Sequence, residues 1–340
     1  VNTSLALRGR ALWHDQSADP VSGVLDADLN FGSGKESLRL ATDLQQCWPP
    51  RGRLNLSSPH LDLDALLMAK EVRGAVAAFL PSVGDSSLNG NLDLAQLRIG
   101  GVRMARLQSA WSLDKGKFSA PALSAQLYSG SLTGAFVAET ANGRFGFNGR
   151  FDKLALESLV RDLGGRQPLS GEFSGSYVLN GVFKPDQVLS EGLEGAVRWK
   201  LQNGALLGVD LGRSLREFRT PIRAGLADSR KPRSGENTPL KTASSRFLFG
   251  KGAINVESID AENDWLSLSG RGQVRLKMRD MDFALHLKLL PGVSRSGFSD
   301  LRGLSNKPIP IRLRGDLNRP EVRHEPGTSR LRQVSGVGKR

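Results

Sequence analysis

Cysteine is nearly absent: Cys47 is the single one in 340 residues. A lone thiol excludes an intrachain disulfide and a cysteine-based metal cluster, and it most often serves as a small apolar filler. Tyrosine occurs twice, and all aromatics together make up 6% of the chain. Aromatics do not interleave with basic residues as single-strand nucleic-acid platforms require. No zinc-finger or RNP-type motif is present, so no nucleic-acid partner is expected. No run of about 20 apolar residues exists, so the sequence offers no membrane-spanning helix. A signal peptide is also missing, and the first residue is Val1, as expected of a processed chain or of a fragment of a longer one.

Convergent chemistry is lacking as well. The histidines His14, His60, His286 and His324 are scattered, with no acidic or second histidine partner at metal-ligand spacing. Serine-hydrolase, zincin, Walker and dinucleotide-binding contexts are absent; Gly270-Arg271-Gly272 is a strand glycine pair without a helix behind it. Asp62 and Asp64, in LDLD, have the types of an acid–base pair but read as edging and capping the helix that follows. No catalytic residue, metal site or cofactor is expected, and the chain is not read as an enzyme.

What the sequence has is alternation. In Trp265–Leu290, WLSLSGRGQVRLKMRDMDFALHLKLL, Leu266, Leu268, Gly270, Gly272, Val274 and Leu276 share one face of a strand. Arg279-Asp280 marks a turn, and Met281, Phe283, Leu285, Leu287 and Leu289 restore the apolar face. A period of two means a sheet with one apolar side and one wet, charged side. The net charge of +13 and pI of about 10.3 favour anionic partners, although much of the charge alternates with apolar residues and solvates the outer face.

The same plan recurs along the chain. Hairpins occupy the first residues up to Pro49-Pro50, with alternation at Leu5–Trp13, Leu25–Phe31 and Leu38–Leu44. Asp64 is expected to cap a helix running to about Phe79, and Pro81–Asp85 reads as a linker. Strands resume from Leu88, with a hairpin dipeptide at Asn142-Gly143, a short helix over 154–164 and a strand at Phe173–Leu179. The strand Leu193–Leu201 ends at Asn203-Gly204, and Leu207, Leu211, Leu215 and Phe218 place the next helix on the sheet. Residues 219–240 read as a mobile basic loop and 291–307 as a Gly/Ser-rich loop. Ile309, Ile311 and Leu313 belong to a final strand before a basic, disordered tail. The expected segments are 1–80, 81–190, 191–322 and the tail 323–340.

An apolar sheet face must be covered by a second layer or by a ligand. The residues leave three readings open: a filled sandwich, a groove for apolar ligands, and a scaffold whose strand edges pair with client proteins.

Four stretches narrow the choice. They are LNGNLDLAQLRIGGVRMARLQSAWSLDKGKFSAPALSAQLYSGSLTGAFVAE (88–139), GLEGAVRWKLQNGALLGVDLGRSLREF (192–218), TPLKTASSRFLFGKGAINVESIDAENDWLSLSGRGQVRL (238–276) and KPIPIRLRGDLNRPEV (307–322). In this order and spacing they resemble the C-terminal part of the AsmA family of bacterial envelope proteins, relatives of TamB-type lipid-transfer proteins. The resemblance implies a mainly β fold, a long curved antiparallel sheet folded like a taco around a hydrophobic groove, with a few short helices. It also implies a periplasmic protein, anchored in the inner membrane by an N-terminal helix absent here, that carries phospholipid or other envelope lipid between inner and outer membrane. Outer-membrane proteins or a membrane surface are further implied partners; the alternative is an assembly factor for outer-membrane proteins. The groove would be lined by Leu193, Val197, Trp199, Leu201, Leu266, Leu268, Val274, Leu276, Phe283, Leu285, Leu287, Leu289, Ile309, Ile311 and Leu313.

Overall fold

The structure is a computed structural model that describes residues 3–13, 21–31, 34–46, 48–68, 84–162, 169–182, 192–231, 235–294, 297–304, 308–317 and 320–326. Cys47, His14, the expected helix beyond 68 and the tail from 327 lie outside these residues. The fold is mainly β, with 69% of the described residues in strands and only short helices among them. The chain divides into two compact units. Unit 1 comprises Val1–Gln167, Glu172–Trp199 and Leu248–Gly252; unit 2 comprises Pro168–Gly171, Lys200–Phe247 and Ala253–Arg340.

Unit 1 is built on β1 (Thr3–Trp13), β2 (Val21–Phe31), β3 (Gly34–Gln46), β4 (Arg51–Asp62), β5 (Ser87–Ile99), β6 (Val102–Asp114), β7 (Lys117–Leu127), β8 (Gly130–Glu139), β9 (Arg144–Ala155) and most of β10 (Leu169–Val182). Consecutive strands pair antiparallel, with one exception: β4 and β5 run parallel, Leu56 opposite Leu92 and Leu61 opposite Leu97. A parallel pair cannot be joined by a tight turn and needs a crossover. The intervening chain carries helix α1 (Leu63–Met68). Strand β4 was not legible in the sequence, because Ser57-Ser58-Pro59 interrupts its alternation. The cap assignment is also corrected. Asp62, not Asp64, accepts the Ala65 N–H at 2.9 Å, while Asp64 accepts the N–H groups of Gly100 and Gly101 and so holds the β5–β6 turn.

The register of unit 1 sets rings against glycines. Tyr177 lies opposite Gly149, Phe151 opposite Gly175, and Phe145 opposite Gly181. A methyl group on Gly149 would sit 2.6 Å from the Tyr177 hydroxyl oxygen and 2.7 Å from Gly134 Cα. One on Gly175 or Gly181 would sit 2.7 or 2.5 Å from Cζ of the opposing phenylalanine. The rings therefore lie across the glycine backbone, which only a missing side chain permits.

Unit 2 takes up the C-terminal half of β11 (Glu194–Leu207), then β13 (Asn237–Gly250) up to Phe247, β14 (Ala253–Glu262), β15 (Leu266–Arg275), β16 (Asp280–Leu289), β17 (Ile309–Asp316) and β18 (Glu321–His324). The short strand β12 (Asp228–Arg230) pairs with β18. The β15–β16 hairpin forms as expected, with Leu268 opposite Leu287 and Gly272 opposite Phe283. Helix α2 (Leu156–Asp162) belongs to unit 1; unit 2 carries α3 (Leu211–Glu217), α4 (Arg219–Ala224) and two 3-10 turns, η1 (Pro291–Ser294) and η2 (Ser299–Leu304). Asp210 caps α3 by accepting the Arg213 N–H at 2.9 Å, and Leu211, Leu215 and Phe218 are fully buried.

Several expectations for unit 2 are overturned. Asn203 does not end its strand; it adopts φ 49° and β11 continues to Leu207. The stretch 219–240 is not one basic loop, since it contains α4, β12 and the start of β13. The Arg230 side chain within it is buried, bonded to Glu236 Oε1 at 2.5 Å, Glu217 Oε2 at 3.0 Å and Ser214 Oγ at 2.9 Å. The stretch 291–307 is likewise ordered over η1 and η2, where Val293, Leu301 and Leu304 are buried and Phe298 stacks on Trp265 at 4.2 Å. The expected tail begins too early: Arg323 and His324 lie in β18, and His324 is buried with Nδ1 3.0 Å from the Pro310 carbonyl oxygen.

Gly149→Ala is expected to lower stability in urea unfolding by about 1–3 kcal/mol, because the added methyl forces Tyr177 and the β8 backbone apart. Gly250→Ala, where a methyl meets nothing within 4 Å, is expected to change it by less than about 0.5 kcal/mol. Equal effects would show that the ring-over-glycine pairs do not constrain the sheet.

Candidate functional site

The most extended chemical feature of unit 1 is a run of rings on the apolar face of its sheet. Trp111 on β6 stacks on Phe118 of β7 at 5.8 Å, and Phe118 meets Phe136 of β8 edge-on at 6.0 Å. Phe136 contacts Phe145 and Phe147 of β9, each at 6.3 Å, and Phe147 lies 4.5 Å from Tyr177 of β10. Tyr177 and Phe173 flank Phe151, and Phe173 lies 5.1 Å from Trp199 of β11. The chain of contacts crosses six strands. It forms because each strand contributes rings on the same parity, and the register brings those positions side by side.

Burial divides this floor. Trp111, Phe151, Phe173, Tyr177 and Trp199 are buried. Phe118, Phe136, Phe145 and Phe147 are half-buried, as are Leu44, Leu54, Leu56, Leu92 and Leu113 beside them. Trp111 Nε1 is buried and makes no hydrogen bond. Tyr177 donates its hydroxyl weakly to the Thr133 carbonyl at 3.3 Å, and burial pushes its pKa well up. The floor is apolar in composition and presents no group that titrates near neutrality.

The residues expected from sequence to line a groove fall in both units. Leu193, Val197 and Trp199 belong to unit 1, where Leu193 and Val197 are half-buried and Trp199 is buried. The remainder belong to unit 2. There β15, β16 and β17 bring Leu266, Leu268, Leu285, Leu287, Leu289, Ile309, Ile311 and Leu313 into one layer. These eight and Leu201 are buried, together with Leu215 and Phe218 of α3 and Leu301 of η2. They are core of unit 2. Val274, Leu276 and Phe283 are half-buried. The half-buried rings of unit 1 escaped the sequence reading as a site. Each strand shows its own alternation, but the run across strands exists only through the register.

A polar lock lies near the far ends of the unit 1 strands. Arg103 on β6 holds Asp162 of α2 with two bonds, Nε–Oδ2 at 2.7 Å and Nη2–Oδ1 at 2.8 Å. Tyr128, in the β7–β8 turn, donates to Asp162 Oδ2 at 2.6 Å and accepts the Arg103 N–H at 3.1 Å. Arg103 and Tyr128 hold the Asp162 carboxyl down at about 2. Burial, then the bond to Asp162, pushes Tyr128 up to about 12. Arg103 and Tyr128 border a depression of about 630 Å³ that also touches His60, Gln96 and Gln126. The side chains of the trio bond to one another, and so fasten α2 to the strand ends. Sequence offered no signal for it, because its members lie 25 to 59 positions apart.

Among the described residues no three His, Cys, Asp or Glu side chains group as a metal site. No helix among them is long and apolar enough to cross a membrane. No protein-family model, curated protein or solved structure matches the chain.

The two tyrosines provide a direct readout of this geometry. An exposed phenol ionises near pH 10; absorbance at 295 nm of the folded protein is expected to stay flat through that range, with Tyr128 ionising only at about 12. The raised Tyr128 value stabilises the fold fully below pH 10 and is lost as pH rises through 12. The depressed Asp162 value stabilises it above pH 4 and is lost as pH falls through 2. Asp162→Asn is expected to bring the Tyr128 transition downward. A phenol transition at pH 10 in the intact, still-folded protein would refute the lock.

Proposed function

We propose that the chain is a lipid-binding protein that takes up acyl chains on the apolar sheet face of unit 1. The observation that carries this reading is the half-burial of Phe118, Phe136, Phe145 and Phe147 along an otherwise continuous aromatic floor. Large apolar side chains left partly in water gain roughly 25 cal/mol for each Å² that a ligand covers, and each methylene of an acyl chain gains about 0.8 kcal/mol. A floor of rings and leucines, without a fixed polar anchor, accepts a chain in many positions along its length. That suits passage of lipid rather than its conversion.

The sequence resemblance to the AsmA family extends the proposal. The chain is then a periplasmic lipid-transfer protein, part of a longer protein held at the inner membrane, that moves phospholipid between inner and outer membrane and supports outer-membrane homeostasis.

The test is mass spectrometry of lipids extracted from the chain purified from bacterial envelopes, beside the variants Phe118→Asp and Phe136→Asp. Stoichiometric phospholipid in the parent protein and its loss from variants that still melt cooperatively is the expected result. A lipid-free parent with a cooperative melt, or folded variants that keep their lipid, would sink the proposal. Charges at Leu268 or Leu285 do not discriminate, because both are core of unit 2 and their substitution unfolds it.

A further inference from the structure

We infer that α4, the leucine that follows it and the adjacent η2 turn form a docking surface for an anionic membrane. Helix α4 buries none of its residues. Arg219 and Arg223 stand four positions apart on it and therefore on one side. The helix stops at Gly225, whose φ of 68° is left-handed, with the Gly225 N–H donating to Ile222 and the Leu226 N–H donating to Pro221 at 2.9 Å. Such a stop fixes the direction of the next residue and normally tucks its apolar side chain against the helix. Here Leu226 is 61% exposed.

Basic residues outnumber acids around this leucine: Arg219 and Arg223 precede it and the exposed Asp228 follows it. Helix α4 abuts η2, the Arg223 guanidinium lies against Gly303, and Arg302 is exposed on the same turn. Two of the three nearby acids are paired with cations. Asp300 pairs with Arg216 at 3.2 Å, and Glu217 pairs with Arg213 and Arg230, each at 3.0 Å. Asp228 accepts the neighbouring Ser229 N–H. An exposed leucine alone is ordinary, and so is an exposed arginine. A leucine held out by a fixed turn among guanidiniums matches the layered chemistry of a bilayer surface: phosphates outside for the arginines, acyl boundary beneath for the leucine. A basic residue near an anionic surface strengthens binding roughly fivefold.

This surface goes beyond acyl-chain uptake in unit 1 and does not depend on it. The test is flotation of the full chain with phosphatidylcholine vesicles that contain or lack phosphatidylglycerol. Binding is expected only with phosphatidylglycerol. Arg219→Glu with Arg223→Glu is expected to weaken it about 25-fold, the product of two fivefold losses, and Leu226→Ser several-fold. A control pair, Arg150→Glu with Arg198→Glu on exposed strand positions of unit 1, makes the same change in net charge and is expected to weaken it less than threefold. Leu226→Ser removes no charge and no contact of the core, so it remains informative if the arginine pair loses its cooperative melt. Equal losses in the control pair would assign binding to bulk charge and overturn the docking surface. So would an unaffected Leu226→Ser, or a parent chain that ignores phosphatidylglycerol vesicles and binds only an acidic protein. Bound lipid measured in the same variants stays unchanged if the two sites are separate.

Discussion

The ring laid over a glycine on the neighbouring strand is the contact on which the sheet depends. Strands in a sheet lie about 4.8 Å apart, so a ring laid flat over the neighbouring strand leaves no room for a Cβ beneath it. Gly149 under Tyr177, Gly175 under Phe151, Gly181 under Phe145 and Gly272 under Phe283 solve that crowding in both units. The same pairs specify register. A slip of one residue sends every ring to the wet face, and a slip of two sets Phe147 or Phe151 against Tyr177. Glycine is abundant in this chain partly because the interior of the sheet uses it, beyond its usual work in turns.

The period of two made most strands legible, along with the β15–β16 hairpin and the buried stripe of α3. What it missed follows from what a single-strand pattern contains. Strand β4 was hidden by Ser57-Ser58-Pro59, and its parallel pairing with β5 is a property of two distant segments. Asp62 and Asp64 exchanged roles because cap geometry depends on where the helix starts, by one or two residues. The 291–304 stretch looked like a loop because Gly and Ser outnumber Val293, Phe298, Leu301 and Leu304, although these four side chains anchor it. The aromatic floor and the Arg103–Tyr128–Asp162 lock were invisible for the same reason: each is assembled by register and turn position across residues far apart in sequence.

Alternation tells which side of a strand is apolar. It does not tell what covers that side. Unit 2 answers with its own chain: Leu215, Phe218, Val293 and Leu301 come from helical segments between its strands and are buried with Leu266, Leu287 and Ile311. In unit 1 the described helices touch β5, β6 and β9, yet Phe118, Phe136, Phe145 and Phe147 stay half-buried. Two segments with the same sequence signature thus reach different ends. In unit 2 the cover comes from α3 and η2, which bring Leu211, Leu215 and Leu301. Twelve of the fifteen residues expected to line a groove belong to unit 2, and nine of these are buried. Among the described turns of unit 1, Lys115-Gly116 and Asn142-Gly143 are short and polar and carry no apolar side chain of their own.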